Sequence, residues 1–186
     1  ITAIQWGNMV SGLSEYEQLC LRCGLCCKGV LHNFTFLSKQ EIGEAKRNGM
    51  RLKYRRDQIP VFLQPCSAYL DQNCYIYTRR PQACRQYVCK LLLDLMSGKV
   101  DLQTALLSVE HTNDLISNLR AVMIDPDHHL SLVQQVKSNW PDFTVAPDAA
   151  QSIYLDLSDH LFQNFGVRWL VLPSRYQRWK RRLRPT

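Results

Sequence analysis

Past Cys89 the chain has no cysteine, although eight stand between positions 20 and 89. No apolar run approaches the ~20 residues that a membrane-spanning helix needs; 91–96, which Asp94 interrupts, and 169–172 are among the longest. Glycine is scarce, eight in 186 residues, and no GxGxxG stretch is present to cradle a dinucleotide phosphate. No Ser-His-Asp arrangement, internal repeat or low-complexity segment is legible. No export signal is legible either, although the sequence begins at Ile1 without a Met, and a cytoplasmic location is the expectation. The last twenty residues hold no acid.

Charge is sharply divided along the chain. Residues 1–19 carry a net −2, 20–90 carry +9, 91–166 carry −7 and 167–186 carry +7. The cysteine-bearing stretch is thus the most basic long segment. That suits thiolates, because an ion or cluster held by four of them keeps about −2. Arg22, Lys28, Arg79, Arg80, Arg85 and Lys90 stand close by in sequence to lower thiol pKa values and neutralise the site, although each by itself also reads as a solvated side chain.

Four of the eight thiols fall in Cys20-Leu-Arg-Cys23-Gly-Leu-Cys26-Cys27, and the others are Cys66, Cys74, Cys84 and Cys89. Packing does not call for such density, since Leu or Val fills a core without the risk of oxidation. Disulfides are a poor account, because 186 residues with 46% apolar content build a core without staples. Metal or cluster binding is the better one. Pairs two residues apart let both sulfurs reach one ion in a tight turn, which Gly24 relaxes. The run of three CxxC-spaced thiols matches ferredoxin-type loops around a 4Fe–4S cluster, while single CxxC pairs also serve structural zinc. Spacing alone does not choose between them. Side chains of vicinal residues diverge, so Cys26 and Cys27 either serve two neighbouring sites or one of them is not a ligand. On a regular helix Cys84 and Cys89 stand ~140° apart, so a helix there starts late or the two sulfurs face different partners.

The cysteine pattern resembles the bacterial cysteine-cluster proteins called the YkgJ family, with a CxxCxxCC signature and described as a zinc- or iron-chelating domain. The carrying residues are Cys20-x2-Cys23-Gly24-x-Cys26-Cys27, Pro65-Cys66-x-x-Tyr69-Leu70, Cys74-Tyr75-Ile76-Tyr77 and Arg80-Pro81-x-x-Cys84-Arg85-x-Tyr87-x-Cys89. The likeness covers about residues 20–90 and leaves no cysteine over. It implies metal binding through all eight: Cys20, Cys23, Cys26, Cys27, Cys66, Cys74, Cys84 and Cys89. One branch of the family is linked to methylation of flagellin lysines; lacking a glycine-rich loop, this chain gives no reason to carry that activity over.

Secondary structure reads as mainly α, with a small irregular cysteine-rich metal-binding region and a helical C-terminal part, all in a single domain: 20–90 metal-binding, 91–166 helical, 167–186 a basic tail. Residues 1–19 suggest a short helix or arm, and 29–37 an extended run. Ser38 and Glu41 have capping-box spacing, so a helix follows over 39–48 and stops at Gly49. Residues 50–65 read as a loop with a strand at 61–63, and 66–77 as a hairpin turning at 71–73. One helix is expected over 81–97, carrying Cys84 and Cys89 in its first half. Others follow over 101–124, 128–138 and 147–165.

His32 lies nearest the cluster motif, as a ligand, a neighbour of ligands or a packed ring, the last being the commonest case for a His. The pair His128-His129 reads as a surface feature at a helix start. Tyr69, Tyr75, Tyr77 and Tyr87 are expected to shield the sulfurs from water. The tail from Arg175 to Arg184, with six bases and two aromatics, suits a protein partner, nucleic acid, or docking on the acidic 91–166 helices. Two functional classes remain. The first is an iron–sulfur cluster or iron protein with a redox or modification role, favoured for the three-cysteine run. The second is a structural-zinc binding module that meets its partner through the basic tail.

Overall fold

Helix α1 (Glu15–Cys23) opens on a reciprocal cap. Glu17 accepts from the Ser14 N–H and hydroxyl, and Ser14 Oγ accepts from the Glu17 N–H. Its last turn carries Cys20 and Cys23, three residues apart and hence on one face. The expected tight turn at this CxxC is therefore a helix end, closed by Gly24 in the left-handed conformation at φ 60°. The chain is seen here in a computed structural model that describes residues 12–168. The expectations for the first eleven residues and for the tail lie outside the described residues.

The next elements are short. Strands β1 (Phe34–Phe36), β2 (Leu52–Tyr54) and β3 (Pro60–Leu63) form an antiparallel sheet with β3 central, aligning Thr35, Phe62 and Leu52. The basic stretch 51–56, read from sequence as loop, thus hides an edge strand, the position where exposed Lys and Arg are favoured. The Ser38–Glu41 cap forms as expected, although its first turn, Lys39–Glu41, is 3₁₀ before α2 (Ile42–Arg47) begins. Strands β4 (Tyr69–Leu70) and β5 (Asn73–Cys74) make the expected hairpin, turning through Asp71 and Gln72 at positive φ.

The helix expected over 81–97 is two helices, α3 (Gln82–Gln86) and α4 (Lys90–Met96). Tyr87 is extended at ψ 124°, and Cys89, at ψ 165°, is the N-cap of α4. The break turns Cys84 and Cys89 to different neighbours. Asp101 accepts from the Thr104 N–H at 2.7 Å and starts α5 (Leu102–Ala121). Helix α6 (Leu132–Asn139) begins later than expected, because Ser131 and Gln134 supply its cap while Asp127 holds the His129 N–H in the preceding turn. Helix α7 (Asp148–Phe165) ends at Gly166 as anticipated. The chain is mainly helical, and among the described residues no helix is long and apolar enough to cross a membrane.

Two hydrophobic cores result. The larger packs Ala105, Val109, Ile116 and Leu119 of α5 with Ala150, Tyr154, Leu157, Leu161 and Phe165 of α7, under Leu91, Leu92 and Leu95 of α4 and Leu19 of α1. The smaller has Leu37, Ala45, Met50, Phe62, Cys66, Ala68 and Ile76. The cysteine loop is tied to the larger by Leu132 N–H to Gly29 O at 3.0 Å, by the Ser131 hydroxyl to Asn33 Oδ1 at 2.6 Å, and by Lys28 Nζ to Asn113 Oδ1 at 3.1 Å.

His160 bridges α7 to α5. Asn164 Nδ2 donates to its Nδ1 at 3.2 Å, leaving Nε2 to donate to Ser108 O at 3.2 Å, with Thr112 Oγ1 at 3.0 Å. Burial holds its pKa below the ordinary value of 6.5, so the unfolded chain takes up this proton first. Stability from the neutral ring is complete above the unfolded value and is lost as pH falls toward the folded one. Melting curves between pH 7 and 5 should show the midpoint dropping with pH, and His160→Gln should flatten that slope. Parallel curves for the two proteins would refute this role for the ring.

Candidate metal centre

All eight cysteines are free thiols, and they fall into two groups of four. Cys20, Cys23, Cys26 and Cys89 border the larger core, whereas Cys27, Cys66, Cys74 and Cys84 belong to the smaller. Mutual repulsion follows the same partition apart from the adjacent pair, where Cys27 also acts on Cys26 by proximity. After burial, Cys26 is pushed up by charge on Cys23, Cys27, Cys89 and Cys20, and Cys23 by Cys89 and Cys20. Cys27 feels Cys66, Cys74 and Cys84 before any sulfur of the first group. The vicinal pair thus sends one sulfur to each group, with Cys26 and Cys27 at the seam.

Local structure explains each placement. Cys20 and Cys23 share a face of α1, and the turn after Gly24 brings Cys26 round through Lys28 N–H to Gly24 O at 2.8 Å and Gly29 N–H to Cys26 O at 3.1 Å. Cys89 joins them from the start of α4, where the N–H groups of Leu92 and Leu91 face its sulfur and oppose the rise that burial causes. In the second group, Cys66 N–H donates to Cys27 O at 2.8 Å, which pins the two together. Cys74 sits in β5 opposite Tyr69. Cys84 rides on α3, whose first turn is held by Gln82 N–H to Glu41 Oε1 at 2.6 Å. The carboxylate that caps the 3₁₀ turn therefore also places Cys84.

Every one of the eight thiols has a raised pKa, and burial is the largest cause each time. Cys23 and Cys84 are pushed up to about 12. Of the six bases expected to lower them, Arg80 acts on Cys20, Cys74 and Cys84, and Lys28 acts on Cys23. Neither outweighs desolvation. Arg80 lies between the groups, its guanidinium 3.5 Å from the Tyr77 ring centre and its Nε donating to Tyr77 O at 2.8 Å. Lys90 is engaged instead with Asp94.

A single cavity of about 390 Å³ is walled by all eight cysteines, together with His32, Gln64, Arg80 and Tyr87. Among the described residues, no three His, Cys, Asp or Glu side chains stand ready to hold one metal ion. The sulfurs are grouped around a hollow rather than closed on a point. The donor set nonetheless fits a soft metal: buried sulfurs in fours, lacking enough positive charge of their own to be thiolates, suit a cation that would displace their protons. Two buried oxygens in this neighbourhood, Tyr69 Oη and Gln64 Oε1, have no hydrogen-bond partner.

His32 packs edge-on against Tyr87, ring centres 4.9 Å apart, and burial lowers its pKa. His128 and His129 are exposed before α6, as expected. Tyr69 and Tyr87 lie among the sulfurs, whereas Tyr75 is half exposed and its hydroxyl meets Asp71 at 3.3 Å. The double use of Glu41 is not legible in the sequence, where its spacing from Ser38 reads only as a cap and its separation from Gln82 gives no signal. Nothing matches the chain among curated proteins or among solved structures. Residues 19–105 match the family model described as CxxCxxCC, a putative zinc- or iron-chelating domain, a span that holds all eight cysteines and reaches past Cys89 into the first turn of α5; this segment is similar to that cysteine-cluster family.

Proposed function

We propose that the eight cysteines hold two metal centres, Cys20, Cys23, Cys26 and Cys89 at one and Cys27, Cys66, Cys74 and Cys84 at the other, and that the metal is iron, bound as iron–sulfur cluster or iron. The observation that carries this is the divergence of Cys26 and Cys27 into separate groups of four, each drawn from distant parts of the chain. Iron is favoured over zinc by two features. One is the run of three CxxC-spaced thiols. The other is the shared hollow of about 390 Å³, which a cluster with its own sulfides would occupy better than compact single ions.

Iron in such surroundings supplies one-electron transfer, and the role follows as redox or as support of a modification reaction. The chain's own groups do the rest. Burial excludes water from the sulfurs, Arg80 offsets charge at both groups, and backbone N–H groups at Cys66, Cys74 and Cys89 orient lone pairs. Anaerobically purified protein should be brown, with a broad band near ~400 nm and iron by elemental analysis. A colourless protein with stoichiometric zinc would overturn iron and leave a structural-zinc binding module.

A further inference from the structure

Tyr69 has a foot in one group and its head in the other. Its backbone N–H donates to Cys66 O at 3.0 Å, and across the hairpin it pairs with Cys74, both members of the second group. The ring then reaches over the loop of the first. A Cβ added at Gly24, between Cys23 and Cys26, would meet Tyr69 Oη at 1.9 Å and Cζ at 2.3 Å. Glycine is needed there on two counts, its φ of 60° and this contact. The hydroxyl is buried and has no partner, and the thiols whose ionisation would bear on it are those of Cys27, Cys23 and Cys74. A buried hydroxyl without an acceptor loses its hydrogen bonds to water and gains nothing in return. A neutral thiol is a weak acceptor, whereas a metal-bound thiolate is a strong one.

We propose that Tyr69 donates its hydroxyl hydrogen to the metal-bound sulfur of Cys27, at the seam between the two centres. This rests on the two-centre reading above. Tyr69 acts as a positioning residue: it touches no ion, and by drawing electron density from one thiolate it strengthens metal retention and shifts the sulfur-to-metal charge-transfer energy at the second centre.

The test compares the full chain with Tyr69→Phe, which keeps the ring and removes one oxygen. Both are loaded anaerobically with cobalt(II), titrated against a chromophoric chelator, and scanned for the sulfur-to-cobalt band. Half of the bound cobalt should be held ~10-fold more weakly in the variant, with a displaced band, while the other half is unchanged. The metal-free variant should melt no lower than the metal-free parent, since no bond is lost there. Identical affinities and bands would overturn the role of Tyr69 and leave the two centres standing. A parent that takes up no cobalt through sulfur would overturn the two-centre reading itself.

Discussion

Stripped of its metal under reducing conditions, the protein should lose the smaller core and keep the larger. That smaller core has only seven buried side chains, two of them alanines and one Cys66 itself. The strands around it are two to four residues long. Such a unit lies below the size at which burial alone outweighs chain entropy. Its proposed ligands come from Cys27, Cys66, Cys74 and Cys84, so an ion or cluster there would clip together a segment otherwise joined by short ladders. On the crosslink scale, closing the loop of about forty residues between Cys27 and Cys66 is worth ~4 kcal/mol. The larger core needs no such clip, with two long helices packed through Leu119, Leu157 and Leu161.

The measurement is limited trypsin digestion of loaded and chelated protein, because Arg47, Arg51, Lys53, Arg55 and Arg56 crowd the region that would open. Cleavage in 47–56 should speed up at least ~100-fold on chelation, as the population of the open form rises. Sites on α5 should stay protected, and far-UV dichroism should retain most of its helical signal. Equal rates before and after chelation would mean that nothing held by these sulfurs supports the fold.

Much of this architecture is legible in the residues. Asp101 before a 3-and-4 stripe of Leu, Val and Ile gives α5, and Gly166 marks the end of α7. The Ser38–Glu41 cap and the Asp71–Asn73 turn are local chemistry, fixed within four residues. What is not legible depends on partners far away in sequence. Between 82 and 96 the signal against a continuous helix is weak: Gln, Arg, Lys, Leu and Met are good formers, there is no Gly or Pro, and Tyr87, Val88 and Cys89 are only moderately poor ones. The break at 87–89 goes with packing, Tyr87 lying against His32 and Cys89 near the thiols of α1. Cysteine is also outside the usual capping set, so the start of α4 gives no signal.

The grouping of the sulfurs was half legible. That Cys26 and Cys27 diverge follows from the bond geometry of neighbouring residues. That Cys89 joins Cys20 and Cys23, while Cys84 joins Cys27 and Cys66, depends on where α3 and α4 dock. Net charge misled in one respect. A segment of +9 suggests bases that lower the thiol pKa values, yet burial dominates at all eight, and Arg80 and Lys28, the bases that act on them, do not outweigh it. Overall charge describes the field at a distance, whereas a thiol under a core feels desolvation first. The positive charge the sulfurs lack is then the charge a metal would bring.

The partition makes Cys26→Ser and Cys27→Ser the most informative pair of substitutions. They are adjacent in sequence, of equal size, and drawn from opposite groups. Each should cost half of the bound metal, whatever the metal is. The halves should differ: Cys26→Ser should behave as Cys89→Ser, and Cys27→Ser as Cys84→Ser. Adding Cys89→Ser to Cys26→Ser should then change little, because the shared centre is already gone, while Cys26→Ser with Cys27→Ser should empty the protein. This is the non-additivity expected of side chains that act as one unit, set beside additivity across independent units. Only the Cys27 and Cys84 variants should also open 47–56 to trypsin, since theirs is the proposed centre whose sulfurs pack in the smaller core. Elemental analysis of the six proteins decides it. Metal lost entirely when Cys89→Ser is added to Cys26→Ser, or half retained when Cys27→Ser is added to it, would break the partition, and equal loss of all metal in every single variant would replace two centres by one.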